Sequence, residues 1–365
     1  MRSTNNITDI FRFIACFCIV WFHSSYYGLL DGSYQRPLVD EFKLYTIMWA
    51  MPFFYVVSSR LALKSMINAP ISKVLSKIQK LLVIIFICIV IYDIPNYILY
   101  EGYSRYPFHL FVRGDSFSAI IQDAWNTFIT VNYSPGYFLI HLIVIYAFAY
   151  LASRVINNVI GRWSIIVICT GVLLGITFVP LDVTNVVSSY LLLNKLALGT
   201  MAIGFLYESL NISKLVKNYS PKSSIVVMMS IMIPIVIMGF VYGRLHWGEL
   251  NGTPWKASIP IWMSIFFLYI GDKFSTIDLK WCSKISKWGR DYSFGVFILH
   301  YWVLIWISLI IPKVGAFLGY ENPSLIVFVL INVVGFLVAL ILTYFLGKSR
   351  ITRGFINVGT VKRMF

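Results

Sequence analysis

Ten stretches of about 20 mostly apolar residues, the length that crosses a bilayer as a helix, constrain this chain more than any other feature. They fall near 9–30, 42–63, 80–99, 136–156, 163–180, 186–206, 224–242, 257–271, 293–312 and 324–346. In hydrocarbon the backbone must satisfy its own hydrogen bonds, which a helix does within itself. The expected fold is therefore all-α: a polytopic membrane protein with about ten transmembrane helices in one bundle. The composition agrees, with 59% hydrophobic and only 12% charged residues and a mean hydropathy of +0.78; a soluble domain carries about 25% charged residues. No repeat, low-complexity tract or linker interrupts the pattern, so residues 1–365 read as a single integral membrane domain.

The net charge of +15 would suit a nucleic-acid partner, but no basic stripe is interleaved with exposed aromatics, so none is expected. Lys and Arg instead gather between apolar runs, mostly on the side shared by both termini. By the positive-inside rule both termini are then cytoplasmic, in a multi-pass protein of the cell (inner) membrane. The N-terminal apolar run is interrupted by Arg12 and His23 and lacks a convincing cleavage site, so it reads as the first permanent span rather than a signal peptide. The five cysteines form no CxxC pair, which supports neither a metal site nor a disulfide framework. The longest external connection, 100–135, is rich in aromatics and is expected to carry an interfacial helix. The segment 272–292 reads as a basic cytoplasmic loop.

Ionisable groups inside a span are costly and tend to mark a pathway or a reaction site. The first span holds Asp9, Arg12 and His23. Asp9 and Arg12 are spaced to pair on one helical face. His23 follows Arg12 by eleven residues, within roughly 20° of the same face and about 16 Å further along the axis. A polar stripe thus runs from the cytoplasmic mouth into the outer half, where a histidine can act as a general base near neutral pH or make a helix-to-helix hydrogen bond. In the second span Ser58 and Ser59 are small enough for close backbone approach or ligand passage. Arg60 beside them either meets an anionic ligand or anchors the helix end. Lys73, Lys77 and Lys80 lead into the third span. Lys77 and Lys80 share a face and can hold phosphate as point charges, or they are an ordinary positive-inside cluster. Deeper polar groups, His141, Asp93, Lys195 and His300, are candidate acceptor contacts or hydrogen-bonded packing residues. Asp93 lies at a depth similar to His23.

These residues resemble the acyltransferase-3 family of integral membrane acyltransferases. Asp9-x-x-Arg12-x10-His23 is similar to the family's first-span signature. Phe53-Phe54-Tyr55-Val56-Val57-Ser58-Ser59 resembles its Phe-Phe-x-x-Ser-Gly motif with one residue extra. Lys77-x-x-Lys80 stands in the place of an Arg-x-x-Arg pair, keeping the charge but not the bidentate fork. Ser293-Phe294-Gly295-Val296-Phe297-Ile298-Leu299-His300 resembles its Ser-Phe-Gly-x-Tyr-x-x-His, with Phe for Tyr. Asn194-Lys195-Leu196-Ala197-Leu198-Gly199 is similar to its sixth-span region.

The resemblance implies an acyl-CoA-dependent O-acyltransferase, with acetyl-CoA as donor and a hydroxyl of a lipid-linked or cell-surface polysaccharide as acceptor, and no metal. On that reading His23, Arg12 and Asp9 form the catalytic group, while Lys77, Lys80, Arg60, Ser58 and Ser59 meet the donor. Direct transfer is favoured over an acyl-enzyme. A lipid-linked glycan transporter is the alternative of a different class, though the internal repeats frequent in such proteins are not evident. A glycan polymerase would be expected to carry a larger external loop. The identity of the sugar and the oligomeric state are not legible.

Overall fold

The computed structural model describes residues 6–24, 47–99, 136–178, 195–220, 222–224, 226–230, 233, 254–275, 282–317, 325–349 and 352; some of these, including 89–99, 195 and 196, are described by backbone alone. Helices dominate the described residues, and no strand occurs among them. In chain order they include α1 (Asn6–Ser24), α2 (Ala50–Met66), α3 (Ile71–Leu99), α4 (Gly136–Val155), α5 (Val159–Phe178), α6 (Lys195–Ser209), α7 (Ile212–Asn218), α8 (Pro254–Lys273), α9 (Ser283–Phe317) and α10 (Leu325–Lys348). Among the described residues, α4 and α10 contain segments long and apolar enough to cross a membrane, Phe138–Val155 and Val329–Lys348. The aromatic connection 100–135 and most of the stretch 224–242 lie outside the described residues.

The bundle is apolar outside and holds polar groups within. On α10, Asn332, Phe336, Ala339 and Thr343 recur at helical spacing and are buried, whereas Val333, Leu337, Ile341 and Phe345 are exposed. A water-facing helix would carry charge on that outer face. The exposed residues of α5 include Val159, Ile160, Trp163, Val167 and Ile168. Ser59, His141, Thr200, Ser264 and His300 are all buried in the interior.

α1 lies at the centre, packed most extensively against α9 and also against α2, α8 and α10; α2 packs on α6, α4 and α8, and α3 on α4. Two glycines permit the tightest of these approaches. A Cβ at Gly289 of α9 would fall on the Asp9 carbonyl oxygen of α1, and one at Gly204 of α6 would strike the Val56 carbonyl and the Ser59 side chain of α2. Cys16 on α1 donates its thiol to the Ser293 carbonyl of α9 at 3.2 Å, one turn beyond Gly289.

Two helices extend past the apolar runs that the sequence outlines. α3 begins at Ile71, so Lys73, Lys77 and Lys80 stand on a helix rather than in the connection leading to one. α2 stops just before it, with Asn68 in the left-handed region at φ 59° and Pro70 preventing continuation. α9 begins at Ser283, so the latter half of the segment 272–292 is helical, not loop. Lys284, Lys287 and Arg290 have good helix propensity, and hydropathy marks where apolar sequence starts rather than where a helix does.

Candidate active site

The polar stripe of α1 has two ends with different neighbours. At the first, Asp9 accepts from Arg12 Nη1 at 3.4 Å, as the i, i+3 spacing predicts. Its other carboxylate oxygen lies 3.6 Å from Arg290 Nη1 on α9, and Arg290 also pairs with Asp291 at 3.4 Å. Asp9 thus sits between two guanidinium groups and ties α1 to α9. The Nε of Arg12 is buried with no hydrogen-bond partner among the described residues. Tyr146 of α4 presents its ring to α3. Lys77 of α3 places its Nζ 4.3 Å from the centroid of that same ring, a cation–π distance. Lys77 and Tyr146 therefore tie α3 to α4. Tyr146 carries no signal in the sequence, since an isolated tyrosine in a span reads as packing. Lys80 is half-buried and Lys73 is exposed, the latter donating to the Ser65 carbonyl at 2.7 Å.

At the far end of α1, His23 is buried. Its ring stands 5.1 Å from that of His300, centroid to centroid, with an interplanar angle of 41°, and 5.8 Å from that of Tyr301. Both neighbours belong to α9. His300 is fully buried, and its Nδ1 lies 2.6 Å from the Phe297 carbonyl oxygen one turn earlier. The Nε2 of His300 is buried without a hydrogen-bond partner among the described residues. The sequence singles out each histidine separately; it gives no sign that they meet.

His141 lies elsewhere. Its Nδ1 shares a hydrogen bond of 2.5 Å with the Tyr55 hydroxyl, joining α4 to α2. Between this pair and the first stand Phe138 and Phe297, with ring centroids 4.5 Å apart. Tyr55 packs on Phe138, and Phe297 on His300.

Arg60 is engaged by carboxylates. Its Nη1 lies 2.9 Å from Asp272 of α8, its Nε 3.3 Å from Glu208 of α6, and its guanidinium 5.0 Å from the centre of the Tyr207 ring. The Tyr207 hydroxyl donates to Asp272 at 2.8 Å. Neither Asp272 nor Glu208 stands out in the sequence, because acids at span ends are common and their partners are far away in the chain. Ser59 is fully buried and donates to the Tyr55 carbonyl at 2.8 Å; Ser58 beside it is half-buried. Asp93 and Lys195 lie on α3 and α6 with side chains outside the described residues. No group of three or more metal-ligating side chains occurs among the described residues. No disulfide links any of the five cysteines.

Among the described residues, helices alone build the bundle, with the Asp9–Arg12 pair at one end of α1 and two buried imidazoles at the other. A family model, described as an acyltransferase domain, matches residues 5–346, and the chain belongs to that family, acyltransferase-3. No curated protein and no solved structure matches the chain. Family membership makes the protein an acyltransferase.

Proposed function

We propose that this protein is a polytopic O-acyltransferase of the cell (inner) membrane, with about ten spans and cytoplasmic termini. It moves an acetyl group from cytoplasmic acetyl-CoA to a hydroxyl of a lipid-linked or cell-surface polysaccharide. The observation that carries this reading is the pairing of two environments on one helix: Arg12 with Asp9 at one end of α1, His23 beside His300 at the other. Eleven residues of helix separate them by about 16 Å. The pantetheine arm of the donor is a flexible chain suited to bridging them.

Lys77, Lys80 and Arg12 meet the phosphates of CoA. Asp9 holds Arg12 in place from the side of Arg290. His23 takes the proton of the acceptor hydroxyl as its oxygen attacks the thioester carbonyl. The carbon–sulfur bond breaks, and the departing thiolate takes the proton back from His23. Transfer is direct, with no covalent enzyme intermediate. Arg60, already facing two carboxylates, joins α2 to α6 and α8 and does not grip the donor.

The test uses the full chain reconstituted in lipid with acetyl-CoA. Free CoA should appear only when a glycan acceptor is present, and His23→Ala should abolish its release at unchanged expression. Undiminished turnover in that variant removes His23 from the base role. Comparing the surface glycan with and without the protein, by mass and NMR, identifies the acceptor by the acetyl group that disappears.

A further inference from the structure

The Phe297 carbonyl can only accept a hydrogen bond, so the Nδ1 of His300, 2.6 Å away, must be the nitrogen that carries the proton. In a neutral imidazole the other nitrogen is then a bare acceptor, fixed in that state by the bond its partner makes. That nitrogen, Nε2, is buried and has no hydrogen-bond partner among the described residues. A buried acceptor with nothing to accept costs free energy, and the ring of His23 is 5.1 Å away, close enough for side-chain rotation to bring a nitrogen of one ring to a nitrogen of the other. The Tyr301 ring flanks both imidazoles, at 5.8 Å from His23 and 6.4 Å from His300.

We propose that His300 is the positioning partner of His23: its Nε2 accepts the N–H of His23, fixing which nitrogen of His23 faces the acceptor hydroxyl and sharing the charge when that nitrogen takes the proton. The arrangement follows the general logic of a base oriented by a third group, with a neutral imidazole in place of a carboxylate. A carboxylate would leave a permanent charge in a site enclosed by Phe22, Phe297 and Tyr301, whereas an imidazole carries none between turnovers. When the acceptor hydroxyl gives up its proton, His23 becomes an imidazolium and its second N–H strengthens its bond to His300. When the thiolate recovers the proton, both rings return to neutral. The assignment rests on the reading of His23 as the base.

Two measurements test it on the intact protein. With nitrogen-15 introduced only at the five histidines, the Nε2 of His300 should show the chemical shift of a bare, pyridine-type nitrogen and its Nδ1 that of a protonated one; the reverse assignment overturns the proposal without reference to turnover. Then His300→Leu and His300→Gln are compared. Leucine fills the space but accepts nothing, so kcat should fall about 100-fold with the KM for acetyl-CoA held within about threefold. Glutamine restores an acceptor oxygen and should recover about tenfold of that loss. Equal losses in both variants assign His300 to packing alone and overturn the proposal. Should His23→Ala turn over normally, the base assignment itself falls, and that result is separate from the His300 comparison.

Discussion

Arg60 and Asp272 meet at 2.9 Å across the seam between α2 and α8, and the same guanidinium reaches Glu208 on α6 at 3.3 Å. One cation thus serves two acids. The asymmetry makes a prediction. Arg60→Met leaves two carboxylates facing each other in a largely enclosed site and should cost about 3–5 kcal/mol. Asp272→Asn keeps Glu208 as a partner and the Tyr207 contact, and should cost only about 1–3 kcal/mol. Thermal unfolding in lipid nanodiscs reads both; equal losses would mean that the guanidinium is not shared. The folded Asp272→Asn protein should keep its KM for acetyl-CoA within about threefold.

Gly289 is the point at which α1 and α9 touch backbone to backbone. Gly289→Ala should therefore destabilise by about 1–3 kcal/mol through overpacking. It should also lower turnover, because the displaced α1 and α9 carry His23 and His300. Gly171, where an added Cβ meets nothing within 4 Å, is the control: Gly171→Ala should be neutral or slightly stabilising by helix propensity. A Gly289→Ala protein as stable and active as the parent would show that the two helices have room to spare.

Lys77 stacks on Tyr146, and the proposed function gives it a phosphate of the donor to hold. Lys77→Ala should raise the KM for acetyl-CoA about tenfold, the scale of one charge-assisted contact, with a smaller change in kcat. Lys77→Arg should retain most of the affinity, since arginine also carries the charge and stacks on aromatic faces. A KM unmoved by Lys77→Ala would take this lysine out of donor binding.

The hydrogen bond between Tyr55 and His141 is buried at both ends. Removing the hydroxyl in Tyr55→Phe leaves a buried ring nitrogen of His141 short of that contact and should cost about 1–3 kcal/mol. Because Phe138 and Phe297 stand between this pair and His300, kcat of the folded protein should change little. A large fall in kcat at unchanged stability would instead bring His141 into the chemistry.

What the sequence reveals is the part that depends on neighbours in the chain. The Asp9–Arg12 pair follows from helical spacing alone, and the structure has it at 3.4 Å. His23 and His300 stand out because a titratable side chain in an apolar run is unusual. Their meeting does not, because it depends on which face of α9 turns toward α1, and that is set by Gly289 and by the Cys16–Ser293 contact at 277 residues' separation. The partners of Arg60 lie 148 and 212 residues away, so its engagement is equally invisible. Helix ends are misjudged for another reason. Lys77 and Lys284 interrupt hydropathy but not helical propensity, so α3 and α9 begin before the apolar runs do.

The lengths of those two helices carry a further consequence. At about 1.5 Å per residue, the 29 residues of α3 and the 35 of α9 extend about 43 Å and about 52 Å, against about 30 Å of hydrocarbon. In the proposed orientation their surplus turns, bearing Lys73, Lys77, Lys284, Lys287 and Arg290, set a basic collar at the depth of the inner headgroups, since the bilayer with its headgroups is about 40–45 Å thick. A nucleotide arriving from the cytosol would then meet fixed protein cations among the headgroups, which offsets the repulsion of an anionic lipid surface.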